Sequence, residues 1–514
     1  MAEIDQSLLA EIATTPFAEN ASPATLTLEL TLPPAEAARL PRLRALAPLK
    51  TGRVRTAAVR IIWHDTAALD LAADGLALAE QRGQWRLEYL RPTEGAPFWP
   101  PGAPPPALAE AASRDAIDHT LPDGLMPCAA FDGRAISKML RVGGAEVELL
   151  LLTGTVRAVA LTQDTARLLL TGPGPAVFAL AHLLAAEVTA AIPRASLAAE
   201  ALAVARDLPL APRHLGAPVL PADVPVAEAF ARIAGHLTDV MLYWAPAAAA
   251  GTDGPEPVHQ MRVAMRRLRS AATVFRRVAA CPELDAARAG LKSLSARLGP
   301  ARDWDVFCAG TGAAVGRAFP EERAVTKLLA NAERQRQDSY AALRAELASA
   351  DFRRLGLTLA ELAATDAWHD ASDPGRAAAL RGSVAAFAGR VLTKRLKAML
   401  GDAEDLAELP VEALHALRLH GKRMRYAAEF FAPLFPGREP RRFIRRLTAL
   451  QERLGHLNDG AVAAALLADL PGAGPERAFA AGAVRGFVAA HSEASRARIV
   501  RSWKKFRKLK PFWL

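Results

Sequence analysis

Between residue 25 and about residue 200 the apolar positions recur every second residue; beyond about residue 226 they recur at helical spacing. Leu26, Leu28, Leu30 and Leu32 alternate with Thr27, Glu29 and Thr31 and stop at Pro33 and Pro34, which predicts a strand with one apolar and one polar face. Ala57–Trp63, Trp85–Leu90, Ala145–Leu152, Arg157–Leu161 and Ala166–Thr171 predict further strands, most of them bounded by Gly, Pro or Asp. Pro92 to Pro106 is proline-rich and predicts an exposed loop, whereas Ala176–Ala191 predicts a helix. Pro209, Pro212, Pro218, Pro221 and Pro225 crowd the stretch from Leu208 to Val226 and mark a linker. Long helices are predicted from there on, with breaks at Gly251–Pro257, Gly401–Pro410 and Pro436–Pro440.

Within the helical half one pattern occurs twice, offset by 156 positions. The first copy runs from His259 and Arg262 through Arg266, Arg267 and Arg269 to Leu298-Gly299 and Asp303; the second runs from His415 and Arg418 through Lys422, Arg423 and Arg425 to Leu454-Gly455 and Asp459. A helix turns about 100° per residue, so with His259 at zero Arg262 falls near −60°, Arg266 near −20° and Arg269 near −80°. His259, Arg262, Arg266 and Arg269 therefore share one face about 15 Å long, and His415, Arg418, Lys422 and Arg425 repeat it. Like charges at i, i+4 destabilise a helix unless an opposing charge arrives from elsewhere. Guanidinium forks suit phosphate oxygens, and a row of them at helical pitch suits a chain of phosphates. The competing reading is that Asp303 and Asp459 neutralise the arginines internally. Duplication in register favours a mixed arrangement, with some cations held by the aspartates and the rest facing a ligand.

Charge is divided in the same way. Residues 1–224 hold 19 basic and 24 acidic residues, and the remaining 45 basic and 30 acidic residues all lie in 225–514, which directs a polyanionic partner to the second half. A length of 514 residues implies more than one core. Three widely spaced cysteines, Cys128, Cys281 and Cys308, exclude a disulfide framework and a paired-cysteine metal site. No apolar run reaches membrane-spanning length and the first residues do not form a signal peptide, so a soluble, cytoplasmic protein without membrane contact is expected. No Ser/His/Asp or Cys/His arrangement and no phosphate-cradling glycine loop is present. Secondary anion contacts are expected from Arg267, Arg423, Lys394 and Lys505.

The segments Val258-His259-Gln260-Met261-Arg262, Leu414-His415-Ala416-Leu417-Arg418, Leu450-Gln451-Glu452-Arg453-Leu454-Gly455 and the terminal Trp503-Lys504-Lys505-Phe506-Arg507 resemble the conserved-histidine α-helical domain, CHAD, over about residues 225–514. The resemblance implies two four-helix bundles, bacterial relatives, and a basic inner surface that binds inorganic polyphosphate, often at polyphosphate granules. Residues 24–205 resemble the CYTH or triphosphate-tunnel family through the strand around Glu29 and through Trp63-His64-Asp65-Thr66. That family's opening Glu-x-Glu-x-Lys reads Thr27, Glu29, Thr31 here, and its later acidic strand reads Ala166 to Thr171. Metal-dependent triphosphate hydrolysis needs carboxylates for the cation and basic groups for the phosphates, so the resemblance comes with its catalytic groups lost.

The expected fold is multidomain, α+β followed by all-α. A degenerate antiparallel β-tunnel occupies 24–205, a linker 206–226, and two pseudo-symmetric antiparallel helical bundles 227–370 and 371–514. The expected function is non-enzymatic polyphosphate binding by the two stripes, with no cofactor, no metal and no catalytic residue. Granule-associated proteins are a further partner class. A CYTH-type triphosphatase and a nucleic-acid or other polyanion binder are the alternatives; the basic stripes lack the stacking aromatics that single-stranded nucleic acid calls for.

Overall fold

The computed structural model describes residues 25–91, 97–111, 124–158, 161–207, 210, 218, 220–251, 254–364, 368, 373–401, 406, 410–471, 474–493 and 496–514. Most of the expected linker, His119, and the side chains of His456 and Asp459 lie outside the described residues. Two compact units are present: 1–216 with 234–243 and 348–368, and 217–233 with 244–347 and 369–514.

In the first unit eight strands make one antiparallel sheet: β1 (Thr25–Thr31), β2 (Arg55–Asp65), β3 (Leu76–Gln81), β4 (Gln84–Tyr89), β5 (Ala107–Ala111), β6 (Met126–Val142), β7 (Ala145–Ala158) and β8 (Leu161–Pro173). Their order is β1-β8-β7-β6-β2-β3-β4-β5, and the sheet curls into a half-barrel. Arg157–Leu161 is not a strand of its own: β7 and β8 are long partners, and Arg157 and Ala158 close the end of their ladder opposite Thr162 and Leu161. Gly133 and Gly154 face each other across β6 and β7. A Cβ on Gly154 would lie 2.3 Å from the Asp132 carbonyl and 2.9 Å from the Phe131 ring, so only glycine lets the buried ring sit against this backbone.

The two faces of β1 go to different places. Leu28 and Leu30 enter a core with helix α1 (Gly174–Glu187), onto which Leu357 and Ala360 of a helix at Ala350–Ala364 also pack. Glu29 points to the concave face, where helix α2 (Leu197–Arg206) packs with Ala198, Ala201 and Leu202 against Trp63, Phe131 and Val156. Of the proline-rich segment, residues 97–106 are described; they form a loop that is largely buried rather than exposed, with Trp99 buried and stacked on Tyr89 at 6.2 Å. The Gly102 carbonyl accepts the Glu29 N–H at 2.6 Å, and a Cβ on Gly102 (φ 80°) would meet Leu28 Cδ1 at 2.7 Å. Asp65, in the Asp-Thr turn, is buried and accepts hydrogen bonds from the backbone N–H of Thr66, Leu71 and Ala72, which fixes it as a cap of the short helix 70–73.

The helices that matter for the second unit are α3 (Glu256–Phe275), α4 (Pro282–Phe307), α5 (Val384–Gly401), α6 (Val411–Phe431), α7 (Glu439–Asp469) and α8 (Arg496–Arg507). The first copy of the repeat lies on α3 and α4, the second on α6 and α7. Val258, Met261, Met265 and Leu268 bury one side of α3; Leu414, Leu417 and Met424 do the same for α6. That leaves each basic stripe on the remaining face, as the 100° geometry requires. Gly251 ends the preceding helix Val226–Ala250 in the left-handed region and so supplies the expected break before α3. Among the described residues no helix is long and apolar enough to cross a membrane.

Candidate functional site

Helices α3 and α6 pack together in the second unit, and the predicted residues fall into an inner and an outer set. Arg262, Arg266, Arg418, Lys422 and Arg425 are half-buried, whereas Arg269, His415, Arg423, Lys394 and Lys505 are exposed. The inner set acts as one electrostatic cluster. Burial pushes Lys422 down to about 8, and the charges that add to this are Arg418, Arg266, Arg262 and Arg425, all cationic. Arg266 is held below the ordinary guanidinium value by burial first; Tyr426 acts against the shift, while Arg262, Arg425 and Arg267 reinforce it. His259 is likewise pushed down, by burial and then by Arg302, with Arg266 and Arg262 adding to it against Glu256. It is a neutral hydrogen-bonding group at neutral pH unless an anion arrives.

Two carboxylates enter this cluster. Arg262 donates to Asp303 Oδ1 at 2.7 Å and to the Gly299 carbonyl at 3.0 Å, so the Leu-Gly and Asp elements of the first copy anchor its first arginine. Arg267 donates twice to Glu429 Oε2, at 3.2 and 2.8 Å, and Arg425 stands 3.7 Å from Glu429 Oε1. Glu429 thus ties α3 to α6, and Arg267 is a structural cross-link before it is a ligand contact. The Arg425 guanidinium also lies over the Tyr426 ring, 5.2 Å from its centroid. Arg395 donates to the Arg423 carbonyl, and burial lowers it to about 10 with Arg423 adding to the effect.

Buried donors remain in this region. Arg266 Nε and Gln451 Nε2 are buried without an acceptor among the described residues, and Gln451 lies next to Gly421, one residue before Lys422. A buried donor without an acceptor costs about 1–3 kcal/mol, and an oxyanion would satisfy it. Gln451 and Arg302 carry no stripe signal in the sequence because neither repeats: Ser295 stands in register with Gln451, and Asn458 with Arg302.

A second group of charged residues lies on the concave face of the half-barrel. Arg167 is 1% exposed and sits 3.4 Å from Glu29 and 2.6 Å from Glu200. Burial raises Glu29; Arg167 opposes the shift and Glu200 adds to it. Thr27 and Thr31, which replace the charged family positions, bond to the Thr171 hydroxyl at 3.0 Å and the Ala166 carbonyl at 3.5 Å. Sequence reasoning passed over Arg167 because its partners lie 138 positions before it and 33 after it.

Residues 232–468 match the CHAD domain. The crystal structure of the CHAD domain from the plant Ricinus communis is similar to this chain at 32% identity and a TM-score of 0.50, covering 58% of this chain and 98% of that one. The chain belongs to the CHAD family. PptA from Streptomyces chartreusis is similar at 18% identity and a TM-score of 0.41, covering 55% of this chain and 99% of that one. A putative adenylyl cyclase from Hippeastrum, described as having a dominant triphosphatase activity, is similar at 18% identity and a TM-score of 0.24, covering 36% of this chain and 97% of that one. No curated protein matches the chain. The CHAD match includes every residue of the inner cluster and ends before α8, so Lys505 lies beyond it.

Proposed function

We propose that the CHAD domain binds inorganic polyphosphate between the His/Arg faces of α3 and α6 and does not turn it over. The observation that carries this reading is the inner cluster, in which Lys422 and Arg266 are depressed by burial and by surrounding guanidinium groups. An arrangement that crowds cations together and leaves Arg266 Nε and Gln451 Nε2 without acceptors is complemented by an anion with many oxygens. Arg418 and Lys422 face the phosphates with Arg262 and Arg266; Arg269, His415, Arg423 and Lys394 extend the surface outward. Association with polyphosphate granules follows if the domain binds chains already packed there. The half-barrel serves as a non-catalytic partner domain, a reading supported by the hydroxyls at Thr27 and Thr31 and by the engagement of Glu29 with Arg167.

Calorimetry of the full chain with defined-length polyphosphate, in metal-free buffer at physiological salt, tests the proposal. Sub-micromolar binding is expected, lost on replacing His259, Arg262, His415 and Arg418 by alanine. RNA that displaces polyphosphate at equal phosphate concentration would remove the specificity from this reading. Raising salt should weaken binding log-linearly, because each neutralised phosphate releases counter-ions, with a slope of about −0.7 per phosphate contact if the chain behaves as a single strand does. A slope near zero would mean that the phosphates do not meet the arginines.

Proton uptake supplies a separate check. Lys422 titrates at about 8 in the free protein, and a bound polyanion pulls it back towards the ordinary lysine range. Binding therefore takes up protons, and affinity is expected to fall as pH rises from 8 towards the ordinary lysine value, by at most about tenfold per pH unit for this one group. Titrations in two buffers of different ionisation enthalpy read the uptake directly, and Lys422→Arg should abolish it in that range.

A further inference from the structure

The last stretch of the helical domain carries charge that the domain itself does not answer. From Arg496 to Leu514 there are eight basic residues and no acidic one, and Arg438 to Arg446 at the start of α7 holds five arginines and one glutamate. The two stretches are held side by side. Phe443 of α7 meets the rings of Phe506, Phe512 and Trp513 at 5.1, 5.5 and 5.4 Å. Arg453 Nη1 donates to the Arg498 carbonyl at 3.2 Å, so α8 runs antiparallel to α7. Trp513 is buried, and its indole N–H donates to Thr393 Oγ1 at 2.9 Å, which fastens the terminal segment to α5 as well. These anchors leave Lys504 and Lys508 exposed on the same helix pair as the exposed Arg441, Arg442 and Arg445, with Lys510 exposed just beyond α8. None of these six cations forms an ion pair among the described residues.

This surface connects with the inner cluster. Arg423 follows Lys422 on α6, and Arg395 of α5 donates to the Arg423 carbonyl. The exposed Arg390, Lys394 and Lys397 lie within about 60° of one another on the outer face of α5. The same helix carries Thr393, where the terminal segment is fastened. A band of cations thus leads from Lys422 over α5 to α7 and α8. We infer that this band holds the outer part of a long polyphosphate chain whose inner part sits between α3 and α6, so that the domain selects for chain length. The inference rests on the proposed polyphosphate reading. Like charges set on adjoining helices without carboxylates between them repel, and a dense line of anionic charge relieves that repulsion. The rings of Trp503, Phe506 and Trp513 are buried and offer no face on which a nucleobase could stack, so the band reads charge alone. Single contacts made by exposed cations are weak. A chain already held in the inner cluster presents its next phosphates at high local concentration, so weak contacts add up for a long chain and are out of reach of a short one.

The test uses the full chain, polyphosphates of about 8 and about 60 phosphates, and a short RNA duplex. The long chain is expected to bind the parent at least about tenfold more tightly than the short one. Replacing Lys504, Lys508 and Lys510 together by glutamine should weaken the long chain by about tenfold and leave the short chain unchanged. The salt dependence of long-chain binding should become shallower by about 2 in slope, about 0.7 for each of the three contacts. Unchanged short-chain binding, with circular dichroism, establishes that the variant is folded. A variant that keeps the parent's long-chain affinity and salt slope would overturn the inference while leaving the inner site standing. Equal weakening of both chains would overturn it too, because the lysines would then act on the inner site. If the variant loses the RNA duplex but keeps the long chain, the band belongs to nucleic acid and the inference falls. A parent that binds neither polyphosphate removes the polyphosphate reading itself, and the band with it.

Discussion

Replacing Arg266 and Lys422 together by methionine is expected to weaken polyphosphate binding by at least about 100-fold, at about 1.5–3 kcal/mol for each charged hydrogen bond removed. The same double variant should unfold at a higher temperature than the parent. Burial, and after it the surrounding like charge, depresses both side chains, and methionine keeps the apolar length of the stem while removing the buried charge and its repulsion. A gain of about 1 kcal/mol moves the unfolding midpoint of a domain this size by about 2–4 °C. If the stripes were internal ion pairs, the signs would reverse, with stability falling and polyphosphate binding unchanged. Calorimetric titration with scanning fluorimetry on the same samples reads both quantities, and a less stable variant with intact binding would sink the anion clamp. Glu429 provides the internal control: it ties Arg267 and Arg425, so Glu429→Gln should destabilise the domain.

Arg167→Met is expected to be the most damaging single substitution in the half-barrel. It removes the only guanidinium placed between Glu29 and Glu200 among the described contacts and leaves two carboxylates facing each other at a buried site. Breaking one side of such an arrangement typically costs about 3–5 kcal/mol. The sign of its pH dependence follows from Glu29, which is raised by burial even with Arg167 present. A carboxyl group raised in the folded state lowers stability above its folded pKa, and that cost fades as pH falls towards the unfolded value. The variant should therefore be much weaker than the parent at pH 8 and closer to it at pH 5. Hydrogen exchange across β1 and β8 localises the effect to this sheet. Equal protection in parent and variant at pH 8 would refute the role given to Arg167.

The strands and helices that carry the argument were legible where one periodicity dominates. Alternation from Leu26 to Leu32 marks β1, and the two stripes mark α3 and α6. β6 was not legible: Cys128, Asp132, Gly133, Ser137 and Lys138 interrupt its alternation, and its length comes from pairing with β2 and β7. The CHAD site was legible in its cations, because a duplicated sequence displays them twice. Glu429 was hidden, since it acts once and from a position defined by packing between helices; Gln451 stood in the Leu450–Gly455 motif, but nothing in the stripes marked it as a donor. The Glu29–Arg167–Glu200 arrangement was hidden for a similar reason: a strand register and a helix start bring together residues remote in the chain.

The helix Ala350–Ala364 has a consequence for how the protein is made. Leu357 and Ala360 belong to the half-barrel core, Arg353 donates to the Ala185 carbonyl at 3.3 Å, and His182 stands 3.5 Å from Glu361. A ribosome delivers β8 and α1 well before these partners exist, so α1 covers the nascent sheet but waits with its own outer apolar side uncovered while more than 150 further residues are translated. Completion of the half-barrel during synthesis is thus tied to output of the first repeat, and a gene cut at the apparent linker would encode a sheet missing part of its own core.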